Sequence, residues 1–241
     1  MPGCRAFTQE EEDKIISSFT GRFALRNIAL FTLGTRSGFR ISELLSLKLG
    51  QVLERGRVAR YVTVPRRAMK GGRSRGKQSA TLRLVMALVQ AFGVRVDFED
   101  EQAWKRFELL LSAKRPRRVT SRTVRLHAEA AERLEAWIRQ MRELGYMTAD
   151  CYVFQSGTLR NRPISRGRAY EIVLAACRRA RISTARVGTH SMRKTFAARL
   201  RRRLGPDLRK LQEAMGHVSL TSTAQYVEVD REEIERAIEN A

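Results

Sequence analysis

Cysteine, histidine and proline are scarce in this 241-residue chain, at three, three and five residues. Cys4, Cys151 and Cys177 are odd in number and far apart. That excludes a disulfide framework and any familiar metal-ligand spacing, and the three read as reduced thiols of a cytoplasmic protein, with Cys177 in the core. His127, His190 and His217 are too widely separated to suggest a zinc site. No apolar run approaches the roughly 20 residues that span a bilayer. The first residues, Met1 to Arg5, show no apolar leader segment, so neither a membrane span nor an export signal is expected. The remaining shortage is of negative charge. Asp and Glu number 25 against 47 Lys and Arg, a formal net charge of +22. The excess is spread along the chain and not confined to a tail. A folded protein accepts such self-repulsion most readily when its partner is a polyanion, with DNA or RNA first and an anionic membrane surface second.

The chain is long enough to bury a substantial core. Thr8 with Glu11 three residues later forms a capping box for a first helix, whose apolar face holds Ile15, Ile16 and Phe19. The spacing predicts a second helix over 23–35, with Leu25, Ile28, Ala29 and Leu33 inward and Gly38 ending it. Ser42 is expected to cap a short helix through Leu47. β-Branched and aromatic residues predict strands at 60–64 and 122–126, and a long helix is expected over 129–144. Tyr152-Val153-Phe154 reads as a short buried segment and Asn161-Arg162-Pro163 as a turn. Further helices are expected over 165–180, 190–204 and 206–215, then 219–226 and 230–238. The fold class is mainly α with a small antiparallel β-sheet.

Between the two strands, residues 71–121 open on a basic Gly-rich turn, Gly71 to Lys77. Two helix-like pieces follow, one with Leu82, Val85, Met86, Val89 and Phe92, the other with Trp104, Phe107, Leu110 and Leu111. Both suit a single apolar face. A helical insertion in a β-hairpin is the economical reading, because a structureless loop of that length is unusual in a compact domain.

The chemistry gathers near the C-terminus, in Thr189-His190-Ser191-Met192-Arg193, then Gly216-His217, then Tyr226. On a helix His190 and Arg193 lie one turn apart on one face. Arg193 offers a planar fork for two phosphate oxygens, and His190 can move a proton near neutrality. Tyrosine, with a reference pKa of about 10, is a weak nucleophile. It becomes useful against a phosphodiester when cationic donors hold the phosphate and take up the charge of the transition state. Arg40, in Gly38-Phe39-Arg40-Ile41-Ser42-Glu43-Leu44, is a further donor from far upstream.

These four stretches, in this order and at this spacing, resemble the boxes of the tyrosine recombinase and phage integrase family. The resemblance runs from about Phe7 to Ile238 apart from the 71–121 insertion. It implies a tyrosine-recombinase-like catalytic domain over 7–241, here without the N-terminal core-binding domain usual in the family. It also implies a site-specific recombinase or integrase that cuts and rejoins DNA through a 3′-phosphotyrosyl link, with no metal, ATP or other cofactor. Arg40 and Arg193 would clamp the scissile phosphate and His190 would assist proton transfer. His217 would bond a non-bridging oxygen, and Tyr226 would attack. A lysine on the strand hairpin would act as general acid, with Lys70 the first choice and Lys77 the second. The implied partners are double-stranded DNA, further copies of the chain (a tetramer on paired sites, joined through the C-terminal segment) and an accessory DNA-bending protein.

Contacts to the DNA backbone are expected from Arg73, Arg75, Lys77, Arg162, Arg166, Lys194, Arg201 and Arg202. Arg40 taken alone reads equally well as an exposed partner of Glu43, and His127 as a structural helix-start residue. The alternative function is a catalytically impaired, DNA-binding integrase remnant or regulator.

Overall fold

The computed structural model describes residues 3–65, 121–145, 148–157, 161–205 and 207–216. The chain divides into two compact units, 1–64 with 123–241, and 65–122. The first contains nearly all the described residues. The expected insertion at 71–121, and the helices expected at 219–226 and 230–238, lie outside the described residues.

Helix α1 (Gln9–Ser17) starts at the expected capping box. The Thr8 hydroxyl accepts from the Glu11 amide, and the Glu11 carboxylate accepts from the Thr8 amide. Arg5 donates both ends of its fork to Glu11 at 2.7 Å, which ties the chain's entry to this helix. Helix α2 (Ala24–Ser37) is the central element and packs most extensively on α5 (Ala128–Glu143) and α7 (Thr189–Leu204). Its core side is Ala29, Leu30, Phe31 and Leu33. Phe31 stacks obliquely with Phe7 and Phe19, ring centroids 5.5 and 6.1 Å apart.

The inward face expected for α2 needs one correction. Leu25 is 37% exposed, whereas Arg26 beside it is 4% exposed. At the first turn of α2 the Arg26 guanidinium lies against the Gln155 carbonyl and the Phe23 ring.

Gly38 ends α2 in the left-handed conformation (φ 62°), as its place after the last periodic residue implies. Helix α3 (Ile41–Leu45) begins one residue before the expected cap. Arg40 holds the capping position, because the Glu43 carboxylate reaches back to the Arg40 amide at 2.8 Å and does the work assigned to Ser42. A short α4 (Leu49–Val52) then leads into a two-residue hairpin, β1 (Leu53–Glu54) with β2 (Arg57–Val58), turned by Arg55 and Gly56 at positive φ.

The expected strand pair is present as β3 (Tyr61–Pro65) and β4 (Ser121–Arg125). The Leu126 amide bonds the Arg60 carbonyl, and the Thr63 and Thr123 hydroxyls meet at 2.8 Å, an antiparallel register. Helix α5 follows, with His127 accepting from the Glu129 amide at its start, the structural role expected of it. Trp137, 2% exposed, donates to the Val153 carbonyl at 2.7 Å, and the Val153 amide bonds Leu47. The short apolar segment at 152–154 is thereby pinned between α5 and the α3–α4 turn. Helices α6 (Arg166–Arg179), capped by Ser165, α7 and α8 (Leu208–Met215), capped by Asp207, complete the described elements. Helix α8 packs on α7 through Leu211 and Met215 against Ala197, Phe196 and Leu200.

Candidate active site

Arg40 follows the Gly38 turn in extended backbone (φ −71°, ψ 151°). The turn needs glycine twice over. Its φ is positive, and a Cβ would press into the Phe196 ring of α7. The Arg40–Glu43 pair exists, at 3.0 Å, but it is not the exposed pair the spacing suggested, because the Glu43 side chain is fully buried. One carboxylate thus holds both the Arg40 amide and Nη1. Arg40 Nε and Nη2 carry no partner among the described residues, and the side chain is 22% exposed. The guanidinium is aimed by its inner edge with its outer edge available.

Helix α7 begins at Gly188, whose amide bonds the Ser191 hydroxyl at 3.1 Å while the Ser191 amide bonds the Gly188 carbonyl at 2.9 Å. This reciprocal cap sets the phase of His190 and Arg193. His190 lies on the exposed side of the first turn. Arg193 points inward and is 1% exposed. The two therefore differ in burial, although they are three apart on one helix.

Arg193 is a junction. Nη1 donates to the carbonyl of Gly38 and Nη2 to the carbonyl of Met215, the latter at 2.7 Å. Gly38 stands two residues before Arg40. Met215 ends α8, directly before Gly216, which takes the left-handed cap conformation (φ 60°). The arginine thus joins the turn that presents Arg40 to the turn that leads to His217. Met192 beside it packs on Gly34 of α2, where a Cβ would be in collision with the Met192 side chain. Thr195 accepts from the Phe7 amide at 2.8 Å and donates to the Ser191 carbonyl at 2.9 Å. Helix α7 is therefore locked to α2, to α8 and to the start of the chain.

Lys70, His217 and Tyr226 lie outside the described residues, as do Arg73, Arg75 and Lys77. Of the expected DNA contacts, Arg162 is exposed in the 161–163 turn and Arg166 is exposed in the first turn of α6. Lys194 and Arg201 are half-buried on α7, and Arg202 is exposed near its end.

A buried ionic cluster beside the site was not anticipated. Glu12, 1% exposed, accepts from Arg199 at 2.5 Å and from Arg36 at 3.2 Å, and Arg36 also bonds Glu129 at 2.7 Å. Arg199 donates to the Thr35 carbonyl as well. The four residues stitch α1, the last turn of α2, α5 and α7 together just before Gly38. Burial pushes the Glu12 carboxyl above its ordinary pKa, against the pull of Arg199 and Arg36. In the sequence, the only trace of this cluster is a glutamate on the same helix as Ile15, and pairing across four elements is not readable from spacing.

No helix among the described residues is long and apolar enough to cross a membrane. A family model described as "Phage integrase family" matches residues 5–233. Among curated proteins, a "Tyrosine recombinase XerC" of Caldanaerobacter subterraneus subsp. tengcongensis is 22% identical over 231 residues, 96% of this chain and 49% of that protein. A protein of the same name from Myxococcus xanthus is 30% identical over 127 residues, 50% of this chain and 40% of that protein. The chain spans about half the length of these curated relatives or less. Among solved structures, that of XerA recombinase has 17% identity and a TM-score of 0.61, over 99% of this chain and 64% of that one. XerH site-specific recombinase bound to a palindromic difH substrate in a post-cleavage complex has 20% identity and a TM-score of 0.62, over 97% of this chain and 51% of that one. These likenesses carry the fold, and the model match extends over nearly the whole sequence through the Arg40 turn, α7 and the 216–226 stretch. The chain belongs to the phage integrase family, with the mostly helical, small-sheet fold of its catalytic domains.

Proposed function

We propose that residues 7–241 form a DNA strand-transferase domain that cleaves and rejoins duplex DNA through Tyr226. The observation that carries this reading is the Arg193 junction, which holds the backbone next to Arg40 and the backbone next to His217 in one guanidinium fork. Phosphoryl transfer asks mainly for positioning and charge stabilisation, and a rigid frame around several cationic donors supplies both. The outer edge of Arg40 meets a non-bridging oxygen of the scissile phosphate. Arg193 engages the phosphate by exchanging one neutral carbonyl for an anionic acceptor, a substitution that charge-assisted hydrogen bonding favours. His217 donates to an oxygen, and His190, on the exposed side of α7, handles the proton of the tyrosine.

In the forward step the Tyr226 oxygen forms a bond to phosphorus as the bond to the 5′-oxygen breaks. Lys70 gives that oxygen a proton, so the products are a 3′-phosphotyrosyl link and a 5′-hydroxyl. Rejoining is the reverse attack by a 5′-hydroxyl, and the phosphoester energy is retained in the link throughout. The partner is duplex DNA at paired sites, bound by a tetramer whose 230–241 segment docks on a neighbouring copy, with a DNA-bending protein as accessory.

Trapping on a nicked suicide duplex tests this reading. The wild-type chain should give a covalent adduct that survives denaturation, and Tyr226→Phe should give none while binding the same duplex. Lys70→Ala should slow adduct formation on an ordinary 5′-oxygen and recover on a leaving group that needs no proton. Binding without any adduct from the wild type would instead make the protein a DNA-binding remnant or regulator.

A further inference from the structure

A second basic feature sits at the other end of α2, roughly 21 Å from the Arg40 end at 1.5 Å per residue over its 14 residues. A cavity of about 230 Å³ opens there between the first turns of α2 and the outer face of α6. Among the described residues its walls carry four arginines, Arg22, Arg26, Arg168 and Arg179, and a single carboxylate, Glu171. Glu171 is already engaged with Arg168 at 2.9 Å.

Arg26 is the unusual member. Its side chain is inside the protein, yet its hydrogen-bond acceptors among the described residues are neutral. Nε and Nη2 both donate to the Asn27 amide oxygen, at 3.1 and 3.0 Å, and Nη1 donates to the Gln155 carbonyl at 2.8 Å. Its flat face lies over the Phe23 ring, 4.4 Å from the centroid. That ring is fixed from behind, because Gly157 approaches it so closely that a Cβ there would collide with it. Around Glu12, the half-buried Arg36 and Arg199 are each compensated by a carboxylate. At Arg26 a like charge takes that place. Burial, with the positive charge of Arg168 acting in the same direction, lowers its pKa to about 10. A buried cation with neutral partners and a cationic neighbour across a cavity is costly unless an anion enters.

We propose that this cavity is a phosphate-class oxyanion site, in which Arg26 forms the floor and Arg168 and Arg179 close over the anion from α6. Guanidinium forks match tetrahedral oxyanions, and the space suffices for one such group with water. The Phe23 ring gives a flat wall on which the Arg26 fork stays in a single orientation. The same chemistry is met by free phosphate and by a phosphodiester of a DNA backbone running past the far end of α2. The site is distinct from the strand-transfer centre, and its test reads binding, so it stands or falls independently of Tyr226.

The experiment titrates the full chain with inorganic phosphate at constant ionic strength, followed by calorimetry and by thermal shift. It is run on wild type, on Arg26→Gln, and on the surface variants Arg168→Gln and Arg179→Gln, which leave the buried packing intact. A short duplex is titrated in parallel at several salt concentrations. Saturable phosphate binding in the wild type, weakened about tenfold in each surface variant by the loss of one charge-assisted bond, supports the site. If the same variants also weaken the duplex and lower its salt slope by about 0.9, the oxyanion is the DNA backbone. If the duplex is unaffected, the ligand is a free phosphate compound. Phosphate and duplex titrations that are identical across wild type and surface variants overturn the proposal. So does Arg168-dependent binding of an acidic synthetic peptide of residues 228–241 with no phosphate binding.

Discussion

Replacing Gly38 by alanine should damage this protein through two separable physical effects. The residue sits at φ 62°, where an L side chain costs roughly 1–2 kcal/mol through its contact with the following carbonyl. Its new Cβ would also enter the space of the Phe196 ring, at Cγ, Cδ1 and Cε1 together. The ring is itself packed against the α7–α8 cluster, so it cannot swing away freely, and overpacking of this kind costs roughly 1–3 kcal/mol. Gly38→Ala should therefore lose about 2–5 kcal/mol, read as a lower urea midpoint at unchanged slope. In a Phe196→Ala background the collision disappears, and the same substitution should cost only the conformational part, about 1–2 kcal/mol. Because the Gly38 carbonyl accepts from Arg193 and Arg40 follows two residues later, the variant should also lose adduct formation out of proportion to its stability. A loss below about 0.5 kcal/mol in the wild-type background, or equal losses in both backgrounds, would refute the argument.

Glu12→Ala removes the carboxylate shared by Arg36 and Arg199 in a buried setting, and breaking such a cluster from one side should cost roughly 3–5 kcal/mol by urea unfolding; a loss under about 1 kcal/mol would mean the cluster is not compensated as described. Glu11 is held below the usual carboxylate range, first by its hydrogen bonds from Arg5. Its contribution is therefore fully present above the unfolded pKa of about 4.3 and is lost as pH falls through the lower folded value. Glu11→Gln should flatten the acid limb of a stability–pH curve below that point, and a curve parallel to the wild type would contradict the assignment. Burial pushes the Cys177 thiol up to about 11, so in the native protein at pH 8 a thiol reagent should modify the half-buried Cys4 and reach Cys177 only after unfolding. Trp137→Phe leaves the buried Val153 carbonyl without its donor and should cost about 1–3 kcal/mol in the same unfolding assay.

Helix existence was legible wherever a local device declares it. The Thr8–Glu11 box and the glycine after α2 act over four or five residues; α1 starts at its box, and α2 begins and ends within two residues of the expected positions. The strand pair was likewise readable, because alternation and β-branching are local. Burial at element ends was less so. Leu25 was expected inward, yet it is exposed and its neighbour Arg26 is buried, held by the carbonyl of Gln155 and the ring of Phe23. Cap identity failed at Ser42 for a related reason, since a buried glutamate three residues ahead of Arg40 captures the amide first.

The sequence by itself determined the helical class, the polyanion-seeking charge and the order of Arg40, His190, Arg193, His217 and Tyr226, because these follow from composition and from spacing along one chain. Only the tertiary structure decided what Arg193 touches. Its fork closes on carbonyls of Gly38 and Met215, residues 155 and 22 positions away. Backbone carbonyls carry no residue identity that a sequence could advertise. The same holds for Glu12 between two arginines and for Arg26 facing a cavity: each depends on which helices meet. Packing of whole elements sets those meetings, and it leaves only a diffuse trace in any one stretch of residues.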